Sequence, residues 1–326
     1  MIVTRTPLRI SLAGGGSDIP SFYRSAGGAV LSFSINKNVY IACHGLYSGG
    51  IRLSYSKTER VGKPLEISHP LIRETLLALD FQADIEIGSF ADVPASGTGL
   101  GSSSAFTVGL VNALGTYMRK EFSPHRLAET ACEVEITRCR EPIGKQDQFA
   151  AAYGGINKIT FNVDDSVNVE SIYTDSIRDF LDSTMLLFDL GFGRKAGDIL
   201  VRQNVAMSDR DSFDKVAMLK DMVVPMEEAL RKTSSSEVAN LLRESWQQKK
   251  MVVSGINTGE IDDVYEFALK CGAIAGKVVG AGGGGFLLLM VEPGWKEVFR
   301  EKFRILRELP FQVNRNGSEV VLSDGD

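Results

Sequence analysis

The sequence predicts an α/β protein built as two lobes or as one large α/β unit, and three observations predict it. The chain has 326 residues, beyond the roughly 100–200 of a usual single domain. Its opening part alternates apolar and polar residues with the period of two that a half-buried strand requires. Behind residue 102 the apolar residues recur at helical spacing instead, and the end of the chain returns to a mixture of the two.

Taken in order, Ile2 to Ala13 alternates (Val3, Arg5; Leu8, Arg9, Ile10, Ser11, Leu12) and stops at Gly14–Gly16. Strand-like runs follow at Ala29–Ile35, Asn38–His44, Ile51–Tyr55 and Asp84–Gly88. Behind Pro94–Ser104, the residues Ala105, Val108, Leu110, Val111, Leu114 and Met118 mark a helix. Ser123–Pro124 supplies an N-cap and a first-turn proline for a second helix, running to about Cys139. Gly154–Gly155 stops the segment Gln146–Tyr153 before a strand at Ile156–Phe161, and Met185–Asp189 reads as another strand. A mostly helical stretch covers about Gly197 to Lys270, with breaks near Ser234–Ser236 and Thr258–Gly259. Then come Lys277–Val279, a glycine cluster, a strand at Phe286–Val291, a helix near Trp295–Leu306 and a last strand at Glu319–Leu322. The shift towards helix near residues 175–185 sets the expected lobes at 1–180 and 181–326.

Composition narrows the function. A net charge of −5 provides no basic face for nucleic acid, so an anionic small molecule would need a local basic pocket. The longest apolar run, Phe286–Val291, is far short of the ~20 residues that cross a bilayer, and no signal-peptide pattern opens the chain. A cytoplasmic protein with reduced cysteines is expected, since Cys43, Cys132, Cys139 and Cys271 form no CxxC pair. His44, His69 and His125 are too dispersed for a zinc site.

The segment Pro94-Ala-Ser-Gly-Thr-Gly-Leu-Gly-Ser-Ser-Ser-Ala105 sets Gly97, Gly99 and Gly101 two residues apart between a strand and an apolar-periodic helix. Such a turn lets backbone N–H groups converge on phosphate oxygens, and the helix N-terminus adds about half a positive charge there. Ser102, Ser103 and Ser104 can donate to phosphate or ligate Mg²⁺, an oxygen-seeking ion. No lysine follows Gly101, so this is not the Walker loop. Gly280-Ala-Gly-Gly-Gly-Gly285 formally satisfies GxGxxG, but a strand-like run follows it where a dinucleotide fold needs a helix.

Pro94–Ala105 resembles the second motif, P-x-x-x-G-L-G-S-S, of the GHMP kinases, in which it binds nucleotide phosphates. Pro7-Leu-Arg-Ile-Ser-Leu-Ala-Gly-Gly-Gly-Ser-Asp18 resembles the first motif, and Lys277-Val-Val-Gly-Ala-Gly-Gly-Gly-Gly-Phe286 the third. The resemblance implies an ATP- and Mg²⁺-dependent small-molecule kinase with an N-terminal lobe like ribosomal protein S5 domain 2 and a ferredoxin-like C-terminal lobe. It places ATP against Pro94, Gly97, Gly99, Leu100, Gly101 and Ser102–Ser104, and Gly282 and Gly283 beside the substrate. Glu135–Gln148 resembles the galactokinase stretch in which a helix glutamate binds the metal and an aspartate faces the acceptor hydroxyl. By that resemblance Glu135 and Ser103 ligate Mg²⁺, with Ser102 and Ser104 as adjacent candidates, Asp147 takes the hydroxyl proton, and Arg9 lies near the phosphoryl group.

Where galactokinases carry a Glu-His pair before the aspartate of the first motif, this chain has Gly15-Gly16, then Ser17-Asp18, which argues against galactose. Gly15, Gly16, Ser17 and Asp18 are expected at the acceptor, with Asp18 on sugar hydroxyls. L-R-I-S-L-A-G-G-G-S-D together with G-K-Q-D-Q-F-A-A-A-Y-G-G resembles the heptose 7-phosphate kinase branch, which phosphorylates the anomeric hydroxyl. The phosphate of such a sugar needs an anion site, for which Arg194 and Lys195, or Lys37, are candidates. The partner expected is a sugar or sugar phosphate, with no nucleic acid or membrane, for a monomer or homodimer.

Overall fold

β1 (Ile2–Ala13) is the spine of the first of two sheets in this computed structural model, which describes residues 1–94, 97–191, 209–252, 259–282 and 284–324. A short helix α1 (Pro20–Ala26) leads into β2 (Gly28–Gly45), which runs antiparallel to β1 along its whole length. The two strands expected at 29–35 and 38–44 are therefore one. The polar Asn36-Lys37-Asn38 stretch resembles a turn in sequence, yet both halves pair with β1, and the register slips between Pro7 and Leu8. A strand this long takes two further partners, β5 (Ile85–Ala91) on its C-terminal half and β6 (Ile156–Phe161) on its N-terminal half.

The first sheet is completed by β3 (Ile51–Ser54), β4 (Thr58–Val61), β7 (Val167–Ser171) and β12 (Glu319–Ser323). β12 lies beside β1, so the stretch expected to form a second lobe from 181 to the end returns its last strand to the first sheet. α3 (Ser102–Tyr117), apolar on nearly every side, packs across β1 and β2 and is buried for most of its length. α4 (Pro124–Cys132) and α5 (Gln146–Tyr153) cover α3 in turn, while α2 (Pro70–Ala78) closes the far end. Ser123 caps α4 as its sequence suggests, accepting from Arg126 N–H at 3.2 Å.

The second sheet is antiparallel, in the order β11 (Arg307–Glu308), β8 (Met185–Asp189), β10 (Phe286–Met290), β9 (Ala275–Val278). α6 (Asp175–Thr184) feeds β8, and the expected helical stretch resolves into α7 (Arg210–Asp221), α8 (Val223–Arg231), α9 (Ser235–Val252) and α10 (Gly259–Cys271). α11 (Lys296–Lys302) precedes β11. α9 lays Val238, Leu242 and Trp246 against β9 and α7, with Trp246 fully buried. The four cysteines are free thiols, and no helix among the described residues is long and apolar enough to cross a membrane.

Candidate active site

Gly97, Gly99 and Gly101 all take positive φ, from +71° to +77°, which explains their alternate spacing: each is a left-handed position that an L side chain resists. The turn delivers the chain into α3 at Ser102. β1 holds this loop from beneath, because Arg9 N–H donates to the Leu100 carbonyl at 3.0 Å and Arg9 Nη1 to the Gly99 carbonyl at 2.6 Å. Arg9 is only 3% exposed. Its remaining donors converge on one carboxylate oxygen, Asp147 Oδ1, from Nε at 2.8 Å and Nη2 at 2.6 Å. Asp147 Oδ2 lies on the Gly101 side, where an added Cβ would sit 3.4 Å from it. The aspartate and the phosphate loop thus meet at Arg9, as the first and second motifs led one to expect.

Asp147 stands in the first turn of α5, and that same helix start holds Asp18. Asp18 accepts from Gln146 N–H at 3.2 Å and from Gly16 N–H at 3.1 Å, and is 2% exposed. Gly144 has no room for a side chain here, since its Cβ would fall 1.9 Å from Asp18 Oδ2. Burial, with the nearby Asp147 charge, pushes the Asp18 carboxyl up to about 6 against the pull of those N–H groups. An acid held higher in the folded than in the unfolded chain binds its proton more readily when folded, so it favours folding more as pH drops through the window from about 6 towards the ordinary value. The melting temperature of the native chain relative to Asp18→Asn should accordingly fall as pH is raised across that window. A difference independent of pH would show that Asp18 titrates as an ordinary surface carboxylate.

Glu135 is fully buried behind the serines. The helix after α4 widens over Glu133–Arg138, with Cys139 N–H reaching back to the Val134 carbonyl at 2.9 Å, and this π-type turn directs Glu135 inward while Glu133 stays at the surface. Ser103 and Ser104 each donate to a Glu135 oxygen at 2.8 Å, and Gln148 donates to Oε2. Burial raises the Glu135 carboxyl above its usual range, opposed by these three donors. One carboxylate and two hydroxyls form a hard-oxygen set, suited to a magnesium ion that draws its other ligands from phosphate and water.

One cavity of about 820 Å³ opens in front of the serines that cover Glu135. Arg9, Asp18, Asp147, Gly15, Gly16 and the loop residues Gly97, Gly99 and Gly101–Ser104 line it. At one end lie Tyr55, His69 and Phe106, with the Tyr55 and His69 rings 4.9 Å apart, edge to face, and His69 and Phe106 5.4 Å apart. Lys249 of α9 and Lys277 of β9 line it from the second sheet; neither these lysines nor the aromatic group had been singled out from sequence. A signal existed in each case: Lys277 interrupts an apolar strand, and Lys249 falls on the Val238–Leu242–Ser245 stripe of its helix.

Several expected contacts lie elsewhere. Ser17 is fully buried and its hydroxyl is spent on the Gly14 and Ala29 carbonyls at 2.8 Å, fixing the loop instead of facing the cavity. Lys37 is half-buried on β2 and Pro94 is exposed; neither lines the cavity. Leu100 is fully buried beneath the loop. Gly282 is buried behind Gly280 and Ala281, which do reach the cavity. Arg194, Lys195 and Gly283 lie outside the described residues. The third glycine cluster braces the phosphate loop: a Cβ on Gly280 would come within 2.3 Å of Gly99 Cα, and one on Gly285 within 2.6 Å of the Gly97 carbonyl.

Comparison with known proteins gives the family. Family models for the GHMP kinases N terminal domain and the GHMP kinases C terminal match residues 70–155 and 226–304. A D-glycero-alpha-D-manno-heptose 7-phosphate kinase of Campylobacter jejuni is 29% identical over 307 residues, covering 90% of each chain. The crystal structure of a D-glycero-D-manno-heptose 1-phosphate kinase from Bacteroides thetaiotaomicron superposes with a TM-score of 0.81 over the whole of both chains at 27% identity. Streptococcus pneumoniae phosphomevalonate kinase, in complex with phosphomevalonate and AMPPNP, shares the fold at 14% identity, with a TM-score of 0.76 over 98% of this chain and 100% of its own. With the glycine loop and the arginine-paired aspartate around one cavity, the buried glutamate behind its serines, and both family models matched in order, the chain belongs to the GHMP kinases and is a phosphotransferase.

Proposed function

We propose that this enzyme is an ATP- and Mg²⁺-dependent sugar kinase that phosphorylates the anomeric C1 hydroxyl of D-glycero-D-manno-heptose 7-phosphate, giving heptose 1,7-bisphosphate. The observation that carries the reading is the Arg9–Asp147 pair at 2.6 Å, set against the phosphate loop and sharing a cavity with Asp18. The choice of sugar rests on the name of the Campylobacter jejuni relative and on Gly15-Gly16 standing in the first motif.

In this reading the nucleotide base lies against Tyr55, His69 and Phe106, whose ring faces and edges suit stacking. Its phosphates follow the Gly97–Gly101 turn to the N-terminus of α3, where backbone N–H groups and the helix dipole favour negative charge. Glu135, Ser103 and Ser104 would hold Mg²⁺, which when bound neutralises charge on phosphate oxygens. Asp18 accepts from sugar hydroxyls and orients the ring. Asp147, pinned through Oδ1 by Arg9, presents Oδ2 to the acceptor hydroxyl and takes its proton as the oxygen attacks the γ-phosphorus and the bond from that phosphorus to the bridging oxygen breaks, releasing ADP.

Coupled ADP release over a panel of sugars and sugar phosphates is the test. Turnover should require Mg²⁺ and be fastest with heptose 7-phosphate, well above free heptose, heptose 1-phosphate, fucose, glucuronate or N-acetylhexosamines. A faster reaction with a free sugar would reassign the acceptor and leave the kinase assignment standing; no ADP release with any acceptor would remove both.

A further inference from the structure

Lys277 is 4% exposed and Lys249 is half-buried, yet among the described residues neither has a carboxylate within ion-pairing distance. Each has one hydrogen-bond acceptor there: the Gly280 carbonyl for Lys249 and the Leu12 carbonyl, at 2.9 Å, for Lys277. An ammonium carries three donors, so both retain N–H groups for another partner. Arg9 differs from them in having its counter-ion, because its guanidinium is paired with Asp147 and also donates to the Gly99 carbonyl. Asp18 and Asp147 face Lys249 across the cavity, beyond contact range, and Arg9 repels both lysines. Burial first, then Arg9, draws Lys249 down to about 8, and burial first, then Lys249 and Arg9, draws Lys277 well below the usual ammonium range. A buried cation without its anion is costly, and the cost is recovered when a ligand brings the anion.

A separate observation points into the same space. Among the described residues, Ser11 Oγ, on a residue 6% exposed, has no hydrogen-bond partner and lines the cavity, and Gln146 Oε1 is likewise buried, unpartnered and at the cavity. The Ser11 hydroxyl can donate to an anion and the Gln146 amide oxygen can accept from a hydroxyl, so with two lysines that lack a counter-ion the lining suits an occupant carrying both an anionic group and hydroxyls.

We propose that Lys249 and Lys277 form a phosphate-binding pair on the second-sheet wall of the cavity, closing on a phosphate dianion that a substrate brings. The placement straddles two sources. Lys249 is anchored on Gly280, which abuts Gly99 of the phosphate loop, while Lys277 is anchored on Leu12, just ahead of the Gly14–Gly16 loop. The dianion is thus either the terminal phosphate of the nucleotide or the phosphate already on the acceptor, an identification that rests on the kinase reading above.

Titration of the full chain and of Lys249→Met and Lys277→Met with AMPPNP, ADP, heptose 7-phosphate and free heptose separates the sources. Loss of about ten- to hundredfold in the preference for AMPPNP over ADP assigns the pair to the nucleotide, and the same loss in the preference for heptose 7-phosphate over heptose assigns it to the acceptor. Both preferences intact in both folded variants would overturn the proposal. Removing an unpaired buried charge should leave the melting temperature level or higher, whereas a structural role would lower it and leave the preferences alone. Should a Met variant not fold, Lys→Arg replacements and the lysine ¹³C titration of the unaltered chain decide: the Lys249 titration near 8 should move upward with AMPPNP or with heptose 7-phosphate, and no movement with either overturns the pair. These readouts are of binding, so a chain that turned over no sugar would lose the kinase reading while the pair was still tested.

Discussion

Asp147→Asn is expected to lower kcat by about 10²–10⁴-fold with little change in the Michaelis constants of either substrate. The substitution is nearly isosteric, and an amide oxygen can still accept from Arg9, so the loop contact through Gly99 survives. What is lost is a group able to take the acceptor proton at Oδ2. Steady-state kinetics with the nucleotide and the acceptor each varied would measure it. An unaltered kcat would take Asp147 out of the chemistry and leave it as the counter-ion that holds Arg9.

Gly99→Ala should be the most damaging single methyl group in the loop. At φ +71° a side chain costs about 1–2 kcal/mol, and the new Cβ would stand 2.4 Å from the Val279 carbonyl, where overpacking adds about 1–3 kcal/mol. Against a total stability of about 5–15 kcal/mol this is a large fraction. Nucleotide affinity should fall as well, because the atom in the way belongs to the second-sheet loop that braces the phosphate turn. Thermal melting and titration with AMPPNP measure the two effects. Gly259→Ala is the matched control, with nothing among the described residues within 4 Å of its Cβ and no positive φ, and should change neither. Equal melting temperatures for the two variants would show that the two glycine loops are not packed as described.

Much of this site could be read in the chain because its parts are local. Three glycines in alternate positions permit left-handed backbone where other residues resist it, and a serine run ahead of an apolar-periodic stretch marks a helix N-terminus. Asp147 was legible through the resemblance of Glu135–Gln148 to the galactokinase stretch, since a helix-start aspartate by itself suits a cap equally well. Glu135 was harder, since Glu129, Glu133 and Glu135 look alike on a regular helix, and only the widened turn selects one of them for burial. Ser17 misled for the opposite reason: a serine in a glycine loop suits a ligand, but here the loop needs that hydroxyl for itself. Lys249 and Lys277 depend on α9 and β9 closing over β1, a contact between segments far apart in the chain. The long β2 was split in two because its polar middle looks like a turn until both halves find β1.

The pairing of β1 with β12 also bears on how the chain is made. Arg5 and Glu319, which contact each other across it, are 314 positions apart, so β1 waits through the synthesis of everything between them before its outer edge is covered. Throughout that interval β1 presents unpaired amides and carbonyls, the kind of edge on which nascent chains associate. Recovery of native enzyme after dilution from denaturant should therefore depend steeply on protein concentration, and more so for chains shortened to end before Glu319.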